Sequence, residues 1–236
     1  MDKKNIQDSY KINAAREAVK LVTNEMILGL GTGSTANFFI KILAERCKNE
    51  NLKLKCVCTS NETKFLAEKL GLLIVDIDKV EKIDITVDGT DEFDKFKNLI
   101  KGGGGALLKE KIVAYNSKKM VIIADETKSK DILGQFPLPV EVVRFGSSRI
   151  SKKIYEALKF LEYKDFKISF RMSNEKNFIT DEGHYILDLF LSEIKNPTKL
   201  HRELILIPGV VETGLFLNMA NKIIVGTSDG ETLSIG

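Results

Sequence analysis

The stretch MILGLGTGSTANFFIKILAERC, residues 26–47, decides the fold class of this chain. Residues 26–30 form an apolar run that ends in glycines, which is typical of a short buried strand. From Ser34 onward the apolar residues recur at helical spacing, so the stretch predicts a strand, a glycine turn and a helix. Open α/β sheets bind ligands at such turns, which lie at the carboxyl ends of their strands.

The same alternation of strands and helices continues along the first part of the chain. Helical spacing and a capping box of Thr59 and Glu62 predict further helices, over 9–23, 59–70 and 106–116. Short apolar runs predict further strands, over 52–58, 72–75, 83–87 and 120–124. This order predicts an α/β fold with a mostly parallel, Rossmann-like sheet that is covered on both faces.

The pattern changes after residue 134 to the order β-α-β-β-α-β, which is typical of a ferredoxin-like α+β unit. Asn196 followed by Pro197 predicts the start of its second helix. The apolar run 223–225 is expected to return to the first sheet. We therefore expect a ferredoxin-like domain inserted into an α/β catalytic domain, with boundaries at 134–216 for the former and 1–133 and 217–236 for the latter.

Composition is ordinary for a globular protein and excludes several classes. The 236 residues carry a net charge of +3 with lysines spread throughout, which argues against a dedicated nucleic-acid surface. No apolar run approaches the ~20 residues that span a membrane, and the N-terminus lacks the apolar core of a signal peptide. A cytoplasmic setting is the default expectation. The three cysteines lack the spacing of a zinc site, so we expect burial and no metal.

The glycine turn GLGTGST, residues 29–35, departs from both large-nucleotide motifs. Ser34 replaces the last glycine of the dinucleotide fingerprint, and no lysine follows Gly33 as a P-loop requires. Hydroxyls and backbone N–H groups at a helix start suit a single phosphate. The alternative is a tight turn capped by Ser34 or Thr35.

Two further motifs carry charged groups that suit proton chemistry on a small phosphorylated molecule. In KGGGGALLKEK, residues 101–111, four glycines permit close backbone approach to a ligand. Glu110 is either a general base or a surface charge near a helix start, and Lys101 either steadies oxyanion charge or lies at the surface. The acids of VDGTDE, residues 87–92, follow a predicted strand and either face a ligand cleft or form a solvated turn.

Taken together with ADETK (124–128), ILGQFPLPVEV and IPGVVETGLF, these motifs resemble the type A ribose-5-phosphate isomerase family over nearly the whole chain. The resemblance implies conversion of ribose 5-phosphate to ribulose 5-phosphate through a cis-enediol, without cofactor or metal. It implies that Glu110 is the base and that Asp88 and Lys101 assist. It also implies a homodimer or homotetramer, whose partner is a small sugar phosphate rather than nucleic acid or membrane.

The resemblance further implies which residues bind substrate: Thr32, Gly33, Ser34, Thr35, Asp88, Gly89, Thr90, Asp91, Lys101, Gly102, Gly103, Gly104, Lys128 and Lys11. Two interpretations from other classes stay open at this point. A non-catalytic sugar-phosphate-sensing domain would keep the phosphate loop but need not keep Lys101 and Glu110. A coenzyme A transferase of similar architecture would use an acid as nucleophile. A nicotinamide dehydrogenase is disfavoured by Ser34.

Overall fold

The computed structural model describes residues 3–236, with side chains from Gln7 onward. The chain divides into two compact units. Unit 1 comprises the chain up to Thr90, Lys109–Ser129 and Asn218–Gly236, and unit 2 comprises Asp91–Leu108 and Lys130–Leu217.

The described residues form α-helices and strands that are named here in chain order. The helices are α1 (Lys3–Val19), α2 (Ser34–Glu50), α3 (Asn61–Lys69), α4 (Leu107–Tyr115), α5 (Ser147–Phe160) and α6 (Pro197–Ile205). The strands are β1 (Ile27–Leu30), β2 (Lys55–Cys58), β3 (Ile85–Asp88), β4 (Glu92–Phe93), β5 (Leu99–Ile100), β6 (Met120–Asp125), β7 (Leu138–Val142), β8 (Lys167–Phe170), β9 (Met172–Ser173), β10 (Lys176–Asn177), β11 (Tyr185–Phe190), β12 (Val210–Thr213), β13 (Leu215–Phe216), β14 (Lys222–Gly226) and β15 (Thr232–Ile235).

Unit 1 is built on one sheet with the strand order β15-β14-β6-β3-β1-β2. The strands from β14 to β2 pair in parallel, and β15 pairs antiparallel with β14. The predicted α/β class with a mostly parallel sheet is therefore confirmed. The return of 223–225 to this sheet is also confirmed, because β14 pairs with β6. Buried side chains of α1, α2 and the strands form its core, among them Val19, Phe39, Leu43 and Ile123.

Unit 2 contains an antiparallel sheet with the order β12-β7-β11-β8. Amphipathic helices α5 and α6 pack their apolar residues against this sheet, including Ile154, Leu158, Leu200 and Leu204. The Asn196 side chain accepts a hydrogen bond from the Lys199 N–H and Pro197 opens α6, as the sequence predicts. The element order from β7 to β12 follows β-α-β-β-α-β, with the short hairpin of β9 and β10 added.

Residues 91–108 lie in unit 2, whereas the sequence assigns them to the first domain. The reason is a small three-stranded sheet in which β5 pairs with both β4 and β13. Both pairings are antiparallel, and β13 lies far along the chain, at Leu215–Phe216. Pairing between segments so distant in sequence leaves no local periodic signal.

The predicted capping box of Thr59 and Glu62 is wrong by one residue. Ser60 is the N-cap of α3, and its hydroxyl accepts the Thr63 N–H at 3.0 Å. The Thr59 hydroxyl donates instead to the Leu30 carbonyl at the end of β1. Thr59 thereby extends the contact between β2 and β1 rather than opening the helix.

The structure also bears on membrane-spanning helices and on the three cysteines. No helix among residues 3–236 has the length and the apolar character needed to cross a bilayer. Cys56 is buried, Cys47 and Cys58 are half-buried, and all three are free thiols. Burial raises the pKa of the Cys56 and Cys58 thiols to about 12.

Candidate active site

Three of the predicted motifs end at the same edge of the unit 1 sheet. Strands β1, β3 and β6 are parallel neighbours, so their carboxyl ends lie side by side. The glycine turn 31–33 follows β1, Asp88 is the last residue of β3, and Asp125 is the last residue of β6. This is the edge at which open α/β sheets bind ligands.

The turn after β1 leads into an α2 N-terminus that no described side chain caps. Gly33 occupies the N-cap position with φ of +105°, a left-handed conformation that favours glycine. Its carbonyl accepts the Asn37 N–H at 2.9 Å, while Ser34 is exposed and Thr35 is buried. The interpretation of a turn capped by Ser34 or Thr35 is therefore wrong. Uncapped N–H groups and the helix dipole favour an anion here.

The Thr32 hydroxyl lies within a cluster of hydroxyls that the sequence analysis did not single out. Its Oγ1 is 2.7 Å from Thr59 Oγ1, 2.9 Å from Ser60 Oγ and 3.2 Å from Thr63 Oγ1. Thr63 in turn donates to the Gly31 carbonyl at 2.9 Å. The sequence did contain a signal for this cluster, namely the hydroxyl residues Thr59, Ser60 and Thr63 directly after β2. Because β2 is parallel to β1, it ends at the same edge of the sheet.

Asp88 is fully buried, and backbone N–H groups fix one of its carboxylate oxygens. Oδ1 accepts the Gly89 N–H at 2.7 Å and the Thr32 N–H at 3.1 Å. A Cβ on Gly31 would lie 2.1 Å from the same oxygen, so only glycine permits this approach. The structure thus brings the Thr32 and Asp88 motifs into direct contact, and the interpretation of a solvated turn is wrong for Asp88.

Glu110 lies in the first turn of α4 and is 4% exposed, so it is not a surface charge. Helix α4 runs antiparallel to the strands beneath it. Ser117, just past its C-terminus, bridges to Ile83 before β3, and Val113 packs against Gly29 in β1. Glu110, one turn before Val113, therefore lies toward the carboxyl edge of the sheet, where Asp88 lies.

The two lysines that the resemblance connects with phosphate both belong to unit 1, one after β6 and one in α1. Lys128 is half-buried in a 3₁₀ turn directly after β6, and the Asp125 carboxylate accepts the Thr127 N–H at 3.1 Å to form that turn. Lys11 lies in α1, where its Nζ is 3.5 Å from Asp8 Oδ1. The position of Lys128 after β6 places it at the sheet edge described above.

Lys101 belongs to unit 2 and is 2% exposed, so the interpretation as a surface lysine is wrong. Its backbone N–H donates to the Gly214 carbonyl at 2.9 Å. Its Nζ lies 5.4 Å from the centroid of the Phe216 ring, within the range of a cation–π interaction. A buried ammonium needs such partners because losing water is costly.

The remaining acids of residues 87–92 have structural contacts in unit 2. Asp91 Oδ2 accepts the Gly103 N–H at 2.7 Å, which ties this acid to the glycine run. The buried Glu92 carboxylate accepts the Gly134 and Phe136 N–H groups at 2.7 and 2.6 Å. Asp91 therefore contacts a predicted substrate loop, whereas Glu92 stabilises the turn at residues 134–136.

Both histidines lie in unit 2 and make hydrogen bonds there. His184 Nδ1 is 2.9 Å from Glu141 Oε1, which also accepts the Thr180 hydroxyl at 2.9 Å. Burial raises the pKa of the Glu141 carboxyl, and the contacts with His184 and Thr180 partly oppose this. His201 Nδ1 is 2.8 Å from Thr213 Oγ1. Over the described part of the chain, no cluster of three or more acidic, histidine or cysteine side chains is arranged to hold a metal.

Comparisons with known proteins point to one family. Residues 55–230 match the family model described as ribose 5-phosphate isomerase A (phosphoriboisomerase A). A ribose-5-phosphate isomerase A of Bifidobacterium adolescentis is 49% identical over 225 residues, covering 95% of this chain and 94% of the relative.

Solved structures agree with the sequence relatives. A ribose 5-phosphate isomerase from Plasmodium falciparum has a TM-score of 0.90 at 38% identity, covering 96% of this chain and 97% of that one. A D-ribose-5-phosphate isomerase in complex with phospho-erythronic acid has a TM-score of 0.88 at 38% identity, covering 99% of both chains.

Proposed function

The chain belongs to the ribose 5-phosphate isomerase A family, and we propose that Glu110 is the base of its reaction. The protein is an isomerase that interconverts ribose 5-phosphate and ribulose 5-phosphate, a step of the pentose phosphate pathway. The observation that carries this function is the match over nearly the whole length of relatives that bear this name. No observation favours the non-catalytic sensing domain.

The proton chemistry suits a buried carboxylate at the edge where the sheet binds ligands. Glu110 removes the proton from C2 of the open-chain aldose, which gives a cis-enediol, and returns it to C1. A proton also moves from the C2 oxygen to the C1 oxygen, so the product is the ketose with no net change in composition. The burial of Glu110 and its place in the first turn of α4 support this role.

The assisting roles of Asp88 and Lys101 are part of the same proposal. The resemblance supports roles in ring opening and in moving the proton between the two oxygens. Two backbone N–H groups orient the Asp88 carboxylate, so its position is fixed before substrate binds. Lys101 is a buried cation, which suits stabilisation of developing oxyanion charge in a site with little water.

Substrate binding is proposed for residues of the four motifs and for Lys11 in α1. The phosphate is expected at the α2 N-terminus, at Gly33, Ser34 and Thr35, and the lack of a side-chain cap supports this. Lys128 is proposed to contribute positive charge there. The other proposed binding residues are Thr32, Asp88, Gly89, Thr90, Asp91, Lys101, Gly102, Gly103, Gly104 and Lys11.

The assembly and the compartment rest on the family resemblance alone. We propose a homodimer or homotetramer that works in the cytoplasm on a free sugar phosphate, with no nucleic-acid or membrane partner. Light scattering coupled to size-exclusion chromatography measures the assembly directly, and a monomer at working concentration would contradict the proposal.

The test of the base compares Glu110→Gln with wild type in an assay of ketose formation from ribose 5-phosphate. EDTA is present and no nicotinamide is added. General bases contribute about 10²- to 10⁴-fold, so we expect kcat to fall by that factor while phospho-erythronic acid still binds. The matched control is Glu45→Gln, the same change on the exposed surface of α2, which should leave kcat unchanged.

The outcomes separate the two parts of the proposal. Absence of ketose formation by folded wild-type protein would contradict the isomerase activity itself. A Glu110→Gln variant with kcat near that of wild type would leave the activity standing and remove Glu110 from the role of base.

A further inference from the structure

The glycine loop, Gly102–Gly105, has a defined conformation in unit 2 although glycine is the least constrained residue. Gly102 and Gly105 have φ of +105° and +82°, and the Gly105 N–H donates to the Gly102 carbonyl at 2.9 Å. Gly103 and Gly104 between them are exposed. A loop of glycines does not hold such a turn by itself, so side chains from outside must stabilise it.

One of these side chains is Arg171, which follows β8 and was not singled out by the sequence analysis. Its Nη1 donates to the Gly102 carbonyl at 2.6 Å and to the Gly103 carbonyl at 3.0 Å. Asp188 in β11 holds the guanidinium from the other side, with Nη2–Oδ1 at 2.5 Å and Nε–Oδ2 at 3.0 Å. This two-point pair fixes the plane of the guanidinium group.

Further contacts bind the Arg171 segment to the glycine loop. The Phe178 N–H donates to the Arg171 carbonyl at 2.8 Å, and the Phe178 ring packs on Gly105. A Cβ on Gly105 would lie 2.4 Å from that ring. The Asp91 carboxylate accepts a hydrogen bond from the Gly103 N–H. Hydrogen bonds therefore fix the loop at two carbonyls, through Arg171, and at one N–H, through Asp91.

The hydrogen bonds from Arg171 to the carbonyls also determine the direction of the N–H groups in the same peptides. In a trans peptide the C=O and the N–H point in opposite directions. With the Gly103 carbonyl directed at Arg171, the N–H of Gly104 in the same peptide is directed away from it. A cation at the carbonyl also polarises the peptide and strengthens its N–H as a donor.

We propose that Arg171, held by Asp188, is a positioning residue that fixes the Gly103–Gly104 peptide so that its N–H donates to an oxygen of the sugar phosphate. The proposal rests on the function given above, in which this loop holds substrate. Arg171 itself does not contact substrate in this scheme. Its side chain is 15% exposed, and its donors are directed at the two carbonyls and at Asp188.

The test measures binding of phospho-erythronic acid and the kinetics of ribose 5-phosphate turnover for Arg171→Met, Arg171→Lys and Asp188→Asn. Losing one oriented hydrogen bond to a charged or strongly polar oxygen weakens binding by about 10- to 100-fold. We expect this loss of affinity for Arg171→Met. The loss should be smaller for Arg171→Lys, which keeps the positive charge but lacks the several N–H donors of the planar guanidinium group. Asp188→Asn should weaken binding in the same direction.

A control variant and hydrogen exchange distinguish positioning from a merely structural role. The control is Arg149→Met, which replaces an arginine on the exposed face of α5. All affinities are measured far below the melting temperature of each variant. Hydrogen exchange should show faster exchange in residues 101–105 of the unliganded Arg171→Met and Asp188→Asn variants, because the loop loses its anchor.

The expected result is weaker binding together with faster exchange confined to the loop. Folded Arg171→Met with wild-type affinity and KM would overturn the proposal, as would a loss that Arg149→Met shares. If Arg171→Met does not fold, Arg171→Lys and Asp188→Asn decide by the same criteria. Turnover of ribose 5-phosphate by the wild-type protein is measured in the same assay. If the wild type is active, a negative result for the Arg171 variants refutes the positioning role alone and not the isomerase function.

Discussion

Substitution of Gly31 by alanine tests the close approach of the β1 turn to Asp88. The new Cβ would lie 2.1 Å from Asp88 Oδ1 and 2.5 Å from the Asp88 Cα. The second contact is with backbone, so a change of side-chain rotamer cannot relieve it. Both residues belong to unit 1, and the carboxylate that would be displaced accepts the Thr32 and Gly89 N–H groups.

The expected cost follows from two separate effects. Overpacking in a tightly packed region costs about 1–3 kcal/mol. Loss of at least one hydrogen bond to the charged carboxylate adds about 1.5–3 kcal/mol. The free energy of unfolding should therefore fall by about 2.5–6 kcal/mol, which corresponds to a decrease in melting temperature of roughly 5–24 °C. Turnover should fall as well, since Asp88 loses its fixed position.

Gly89→Ala is the matched control on the same sheet edge. A Cβ there would lie 3.8 Å from the Thr32 carbonyl oxygen and 4.0 Å from Thr35 Cβ, which are ordinary contacts. We expect a change of no more than about 1 kcal/mol in either direction.

The assay is urea and thermal unfolding followed by far-ultraviolet circular dichroism, because the chain has no tryptophan. If Gly31→Ala unfolds with the same free energy as Gly89→Ala, the close approach of Gly31 to Asp88 does not exist in solution.

Two further predictions follow from buried titratable groups. Because burial raises the pKa of Cys56 and Cys58 to about 12, alkylation by iodoacetamide at pH 8 should be roughly 10³-fold slower in folded than in urea-unfolded protein. Mass spectrometry of the two thiols measures this, and equal rates would contradict it. Burial also raises the pKa of Glu141, so its contribution to stability is complete below about pH 4.5 and is lost as the pH rises through the folded-state pKa. Glu141→Gln should therefore become more stable relative to wild type between pH 4.5 and pH 7 in urea titrations, and parallel pH profiles would refute this.

The parts of the fold that the sequence predicts well are those with local signals. The apolar run before Gly29 and the helical spacing after Ser34 locate β1 and α2 to within a few residues. Leu99–Ile100 pairs with Leu215–Phe216, which lies more than a hundred residues further along the chain. No local pattern in the sequence indicates this pairing, so the sequence assigns residues 91–108 to the first domain, whereas the structure groups them with unit 2.

The candidate site divides in the same way. Its glycines and carboxylates are recognisable because they form unusual short motifs, and Gly33 and Gly102 do adopt left-handed φ values that favour glycine. The residues that surround these motifs are not recognisable. Ser60 and Thr59 are adjacent hydroxyls that the sequence cannot rank as caps, and Arg171 is an ordinary arginine at the end of a strand until its contacts are known.

The position of β6 in the unit 1 sheet has a consequence for how the chain folds during synthesis. Every residue of β6 is buried, and on one side its partner is β14. The ribosome synthesises residues 126–221 between these two strands, which takes on the order of ten seconds at usual rates of translation. For that period an apolar strand has an unpaired edge, which is the kind of segment that aggregates and that chaperones bind.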